Sequence, residues 1–155
     1  MMKAGFILGF VMSIVMGSFA QTQNEVDIIQ SAFGMQKDEI VKAFVQPSKE
    51  SADTFMALYN EYEVKRKEIG KKRIAVLGEY AKEWENITDE QADELMKDVF
   101  AINIEYDKLI KSYYNKIKKV SGAKVATQFY QVETYISTYI RYTIYENIPF
   151  VGEEE

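Results

Sequence analysis

From residue 49 onward the apolar residues recur in threes, fours and sevens rather than in twos. Phe55, Leu58, Tyr62, Ile69, Val76, Tyr80 and Trp84 share one face at about 100° per residue, which predicts a helix from Lys49 to about Glu85. At about 1.5 Å per residue this helix is roughly 55 Å long, too long to bury in a compact domain and in need of a partner beside it. A second run supplies one: Ala92, Leu95, Val99, Ile102, Tyr106, Leu109, Tyr113, Ile117 and Val120 repeat at the same spacing. Between the runs, Thr88 and Gln91 stand three apart, where the Thr hydroxyl can accept from the Gln91 amide while the Gln91 side chain reaches back. A connection this short predicts an antiparallel helical hairpin.

Two further helices flank it. One runs from about Glu25 to Val45 on Val26, Ile29, Phe33, Ile40 and Phe44, weakened at Gly34 and ended by Gln46, Pro47 and Ser48, with Ser48 able to cap the next helix. The other runs from Ala123 to about Asn147 on Val125, Phe129, Val132, Ile136, Ile140 and Thr143, after a break at Ser121 and Gly122. The stretch from Thr134 to Tyr145 has strand-like composition, but the helical spacing on its flanks outweighs propensity. The predicted fold class is all-α, four helices with a long central antiparallel hairpin.

The first twenty residues read differently. Lys3 precedes an uncharged run from Ala4 to Met16, and Ser18 and Ala20 end it in a small-x-small pattern. That is the form of a cleavable secretory signal, the run being short for a spanning helix of about 20 residues. The expectation is an exported chain, residues 21–155 forming a single helical domain, periplasmic, with no integral membrane segment after cleavage.

Composition then narrows the chemistry. With no Cys and no His, thiol nucleophiles, His-based triads and zinc fingers are closed to the chain, and a disulfide scaffold cannot brace it. No phosphate-binding loop or nucleophile elbow occurs. Asp89, Glu90, Asp93 and Glu94 crowd together but lack the spacing of a calcium loop. The expectation is a protein that is not an enzyme and has no cofactor or metal. A formal net charge of −5 also argues against nucleic acid as a partner.

Charge is segregated along the hairpin. Residues 79–98 carry eight acids against Lys82 and Lys97, a balance of −6, and residues 65–73 carry six bases against Glu68, a balance of +5. Such runs suit a solvated helix face, and they equally suit a surface that attracts acidic clients. Lys65, Arg66, Lys67, Ile69, Lys72 and Arg73 are the candidate polypeptide-binding residues. Arg66 and Arg73 fall within the arc of Tyr62, Ile69 and Val76, so each needs a partner if buried, and Glu133 is the first candidate. Tyr130, Tyr135, Tyr139, Tyr142 and Tyr145 crowd the last helix, able to flank the core or to meet a second subunit or client.

The order of these features resembles a family. Ile87, Thr88, Asp89, Glu90 and Gln91, with the weaker helix starts at Pro47–Glu50 and Val120–Lys124, look like the LTxxQ motif of small periplasmic helical proteins of the Spy and CpxP group. The resemblance implies an ATP-independent, stress-related envelope protein that binds unfolded polypeptides as an antiparallel homodimer. The alternative is a regulatory subunit that recognises one specific envelope partner.

Overall fold

The computed structural model describes residues 37–146 and 148–152. The expected signal segment and the expected weak point at Gly34 lie outside the described residues. The chain forms two compact units that meet in sequence at Gln46 and Pro47. In the first, residues 37–44 form a helix, α1, closed by Val45 N–H donating to the Val41 carbonyl at 2.8 Å and flanked by a Lys42–Asp38 ion pair at 2.5 Å.

The second unit is helical among its described residues, with no strand. Helix α2 spans Ala52–Glu83, a short 3-10 turn spans Trp84–Asn86, and α3 spans Asp89–Tyr145. Helix α2 starts one turn later than Ser48 predicts. Ser51 occupies the cap position, its N–H bonded to the Ser48 carbonyl at 3.1 Å and its own carbonyl accepting from Phe55 N–H at 2.8 Å.

Helix α3 begins at a reciprocal cap. The Thr88 N–H donates to Gln91 Oε1 at 2.8 Å, and the Gln91 N–H donates to Thr88 Oγ1 at 3.2 Å. Asp89 and Glu90 occupy the first turn, where the helix dipole favours negative charge. Gln91 Nε2 also donates to Glu83 at 2.6 Å, tying the start of α3 to the end of α2.

The element Asp89–Tyr145 is not one straight rod. Gly122, at φ 85° and ψ 165°, leaves helical geometry and divides it into limbs 89–121 and 123–145. The ring of Tyr62 lies 5.5 Å from that of Tyr113 and 5.1 Å from that of Phe129. In a continuous helix the sixteen-residue step from Tyr113 to Phe129 would separate them by about 24 Å. The limbs therefore fold back on each other about Gly122. Contacts to α2 give the directions: Glu61 meets Lys116 and Lys72 meets Glu105, so the first limb runs against α2, whereas Tyr62 meets Glu133 and Tyr80 meets Pro149, so the second runs with it.

Gly122 sits in a backbone region that residues with a Cβ enter only at a cost, although open space surrounds it. Gly122→Ala should destabilise the protein by about 1–3 kcal/mol. Gly78, an ordinary helical glycine of α2 whose added Cβ would also meet nothing, predicts the opposite sign: Gly78→Ala should stabilise by roughly 0.5–1 kcal/mol. Urea unfolding of both variants checks the pair, and a Gly122→Ala variant as stable as wild type or more so would contradict the positive-φ backbone at Gly122.

Packing is uneven along the bundle. Phe55, Tyr59, Tyr62, Tyr113, Ile117 and Phe129 are almost wholly buried and lie toward the Gly122 end. Phe55, Tyr59 and Tyr62 follow one another at ring separations of 6.3 and 6.5 Å, and Tyr62 meets Tyr113 and Phe129 edge to face. At the other end Trp84, Ile87, Ala92, Leu95 and Val99 are only half-buried.

Candidate functional site

The expected basic surface on α2 is largely neutralised by the protein's own acceptors. Lys65 pairs with Glu61 at 2.9 Å, Arg66 with Glu63 at 3.0 Å, Lys71 with Glu68 at 3.6 Å and Lys72 with Glu105 at 2.7 Å. Arg73 Nη2 donates to Asn103 Oδ1 at 2.9 Å. Lys67 is half-buried, and Ile69 is buried in the packing between helices, where it cannot meet a client in this conformation. Of the six candidate binding residues, the structure leaves Lys65 and Lys72 exposed on one side of α2, each holding a carboxylate.

Arg66 and Arg73 do turn toward neighbouring helices, but their direct contacts differ from the expected ion pair with Glu133. The Arg66 side chain, 15% exposed, is held by Glu63 one turn earlier on the same helix. Burial works against its charge, yet the charge and hydrogen bond of Glu63, then the charge of Glu133, outweigh burial and keep its proton more firmly held. Arg73 is pushed the other way, first by burial and then by Arg141. Glu133, fully buried, accepts from the Tyr62 hydroxyl at 2.8 Å. Burial first, and the Glu133 charge second, raise both the Tyr62 and Tyr106 hydroxyls. The result is a polar layer inside the bundle, built from Tyr62, Arg66, Tyr106 and Glu133.

One surface cluster has an unusual titration. Glu61 receives Lys65 and, at 3.4 Å, Lys116, while both lysines lie over the Tyr113 ring at 5.4 and 4.4 Å. The adjacent Tyr113 hydroxyl, then Lys65, hold the Glu61 carboxyl down at about 2, and the same surroundings raise Lys65 to about 12. A carboxyl depressed from 4.5 to about 2 stabilises the fold above about 4.5, and that contribution is lost as pH falls toward 2. The Glu61 carboxyl followed by NMR should therefore titrate near 2, and a midpoint near 4.5 would contradict the cluster.

Unpartnered positive charge lies elsewhere. Residues 108–124 hold six lysines and no acid. Lys116 pairs with Glu61, whereas Lys108, Lys111, Lys118, Lys119 and Lys124 are exposed and have no ion-pair partner among the described residues. Three of them surround the reversal at Gly122, beside exposed Val120. The opposite end is acidic: all eight acids of residues 79–98 are exposed. Among the described residues no group of three or more acidic side chains is arranged to hold a metal ion, and no helix is long and apolar enough to cross a membrane.

Sequence reasoning places the functional charge on 65–73 by counting bases. The local signal for the alternative is the absence of any acid from 108 to 124, a distinction between total and unbalanced charge. Comparison with models of protein families, with curated proteins and with solved structures gives no match. The resemblance to the LTxxQ helical proteins thus rests on the capping motif and the order of the helices.

Proposed function

We propose that this chain is an ATP-independent envelope protein that binds unfolded or flexible polypeptides, exported by its N-terminal segment and built as four helices around an antiparallel hairpin. The carrying observation is the cluster of exposed, unpartnered lysines around Gly122 beside exposed Val120. Such a surface offers non-directional attraction to acidic segments together with an apolar contact, and neither demands a defined partner shape. Lys65 and Lys72 lie along the same bundle but already hold Glu61 and Glu105, and add less to this surface.

The test is suppression of aggregation of two unrelated unfolding clients, without ATP, followed by light scattering. Suppression of both at near-stoichiometric amounts is expected, and none at several-fold excess would overturn the reading. The surface makes a further prediction. Reversing Lys118, Lys119 and Lys124 to Glu should weaken client binding about tenfold or more at low salt, and should do so more than reversing Lys65, Lys67 and Lys72, because Lys65 and Lys72 already carry carboxylates. Equal effects of the two triple variants would remove the Gly122 end as the principal site.

A further inference from the structure

The bundle brings two arginines to one level without giving either a carboxylate. Arg73, on α2, donates from Nη2 to Asn103 Oδ1 at 2.9 Å. Arg141, on limb 123–145, has its guanidinium carbon 5.7 Å from the centre of the Tyr106 ring. Asn103 and Tyr106 stand three apart on limb 89–121, about 4.5 Å along its axis, so both arginines meet the same turn of that limb. One arginine comes from each of the two elements packed beside it.

Neither arginine has an ion-pair partner among the described residues. Of the acids on adjoining turns, Glu105 holds Lys72 at 2.7 Å, Glu146 accepts from the Tyr142 hydroxyl, and Asp107 is exposed and pairs with neither. A guanidinium withdrawn from water needs an anion, as Arg66 has in Glu63, and here two of them share one place without one. Burial first, and the charge of Arg141 second, loosen the proton of Arg73. Both side chains are half-buried. No nitrogen of either is at once sealed from solvent and unpartnered, as Arg66 Nη2 is, so their remaining donors are open to a ligand arriving from water.

We propose that Arg73 and Arg141, the first held in place by Asn103, bind a phosphate-type dianion. Two guanidiniums bring two positive charges, which a dianion neutralises and a single carboxylate does not. Each guanidinium is a planar fork that grips two oxygens at once, the geometry that favours arginine over lysine at phosphate groups. The bond to Asn103 occupies one nitrogen of Arg73, and the Tyr106 ring contacts Arg141 without consuming any of its N–H donors. The exposed lysines around Gly122 are separate from this site, and the proposal does not depend on the client-binding reading.

The test is thermal unfolding of the purified protein above about pH 7, where phosphate monoesters are dianionic, in a buffer without phosphate or sulfate. Inorganic phosphate or acetate is then added at millimolar concentration and matched ionic strength. Phosphate at about ten times its Kd should raise Tm by about 5 °C, and acetate should not. Arg73→Gln and Arg141→Gln should each abolish the rise, whereas Lys119→Gln, which removes an exposed charge near Gly122, should keep it. A second arm separates the sources of phosphate, by sedimentation with phosphatidylcholine vesicles that contain phosphatidic acid. Co-sedimentation that Arg141→Gln loses assigns a lipid headgroup, and a response to inorganic phosphate without co-sedimentation assigns a soluble phosphate. No response in either arm, an equal response to acetate, a rise retained by either arginine variant or one lost in Lys119→Gln would overturn the proposal.

Discussion

Replacing Tyr62 by alanine is expected to lower the unfolding free energy by about 3–5 kcal/mol, measured as a fall in the urea midpoint with unchanged slope. Tyr62 is completely buried, and its ring contacts Tyr59, Tyr113 and Phe129. Those contacts come from α2 and from both limbs of α3, so truncation opens a cavity at the point where all three meet. Tyr62→Phe keeps the ring and removes the hydroxyl that donates to Glu133 at 2.8 Å. Its expected cost is about 1–3 kcal/mol, the penalty for leaving a buried acceptor short of a donor. If the two substitutions cost the same, the hydroxyl rather than the ring would be what matters at this position.

Glu133→Ala is expected to cost a further-reaching 3–5 kcal/mol, about the figure for removing one member of a buried charged set. It takes away the acceptor of Tyr62 and the anion that helps hold the Arg66 charge. The origin of this cost is testable by removing the rest of the set. In the combined variant Glu133→Leu, Tyr62→Phe and Arg66→Met, the anion leaves together with its hydrogen-bond donor and the nearby cation, and the Tyr106 hydroxyl is what remains of the layer. The stability of this variant should return to within about 1–2 kcal/mol of wild type or exceed it, as hydrophobic replacements of whole buried ionic sets do. Chemical denaturation of the single and triple variants gives the comparison. A triple variant less stable than Glu133→Ala alone would show that the polar layer contributes net stability.

Tyr62 and Glu133 differ sharply in how far the pattern of the chain foretells them. Tyr62 belongs to the apolar stripe of α2, and Thr88 with Gln91 form bonds that close within four residues, so local spacing carries all three. Glu133 reads from its position as the edge of an apolar face and a partner for arginines, because a sequence shows a charge near a core but not which of several donors reaches it. The Tyr62–Glu133 bond spans 71 residues and depends on the reversal at Gly122 to bring its ends together. Arg66 instead takes Glu63 from the preceding turn, a partner that i,i+3 spacing alone could have nominated.

The buried side of each helix is also rotated slightly from expectation. Tyr59 is buried where Leu58 is half-buried, and Ile110 where Leu109 is half-buried, while Val120 is exposed. A helix packed against two neighbours buries a broader arc than one paired with a single partner, and a stripe drawn at fixed spacing follows only its middle. On the surface the limit is different in kind. Six bases within 65–73 signal a charged stretch, but Glu61, Glu63 and Glu105 lie outside that window and become neighbours through helix turns and packing. Net charge of a surface is a property of the fold, and a window along the chain samples only part of it.

The uneven packing of the bundle has an optical consequence. The chain contains one tryptophan, Trp84, half-buried at the turn after α2, while Tyr59, Tyr62 and Tyr113 are buried roughly 30 Å away along the helices. Its emission reports the wetting of the acidic end, and the chiral environment of the clustered tyrosines reports the aromatic end. A loosening confined to the turn would shift the tryptophan spectrum while leaving the tyrosine dichroism in place. Two transitions seen by these two signals would mark a molecule that opens from one end, and coincident ones a molecule whose length melts as a unit.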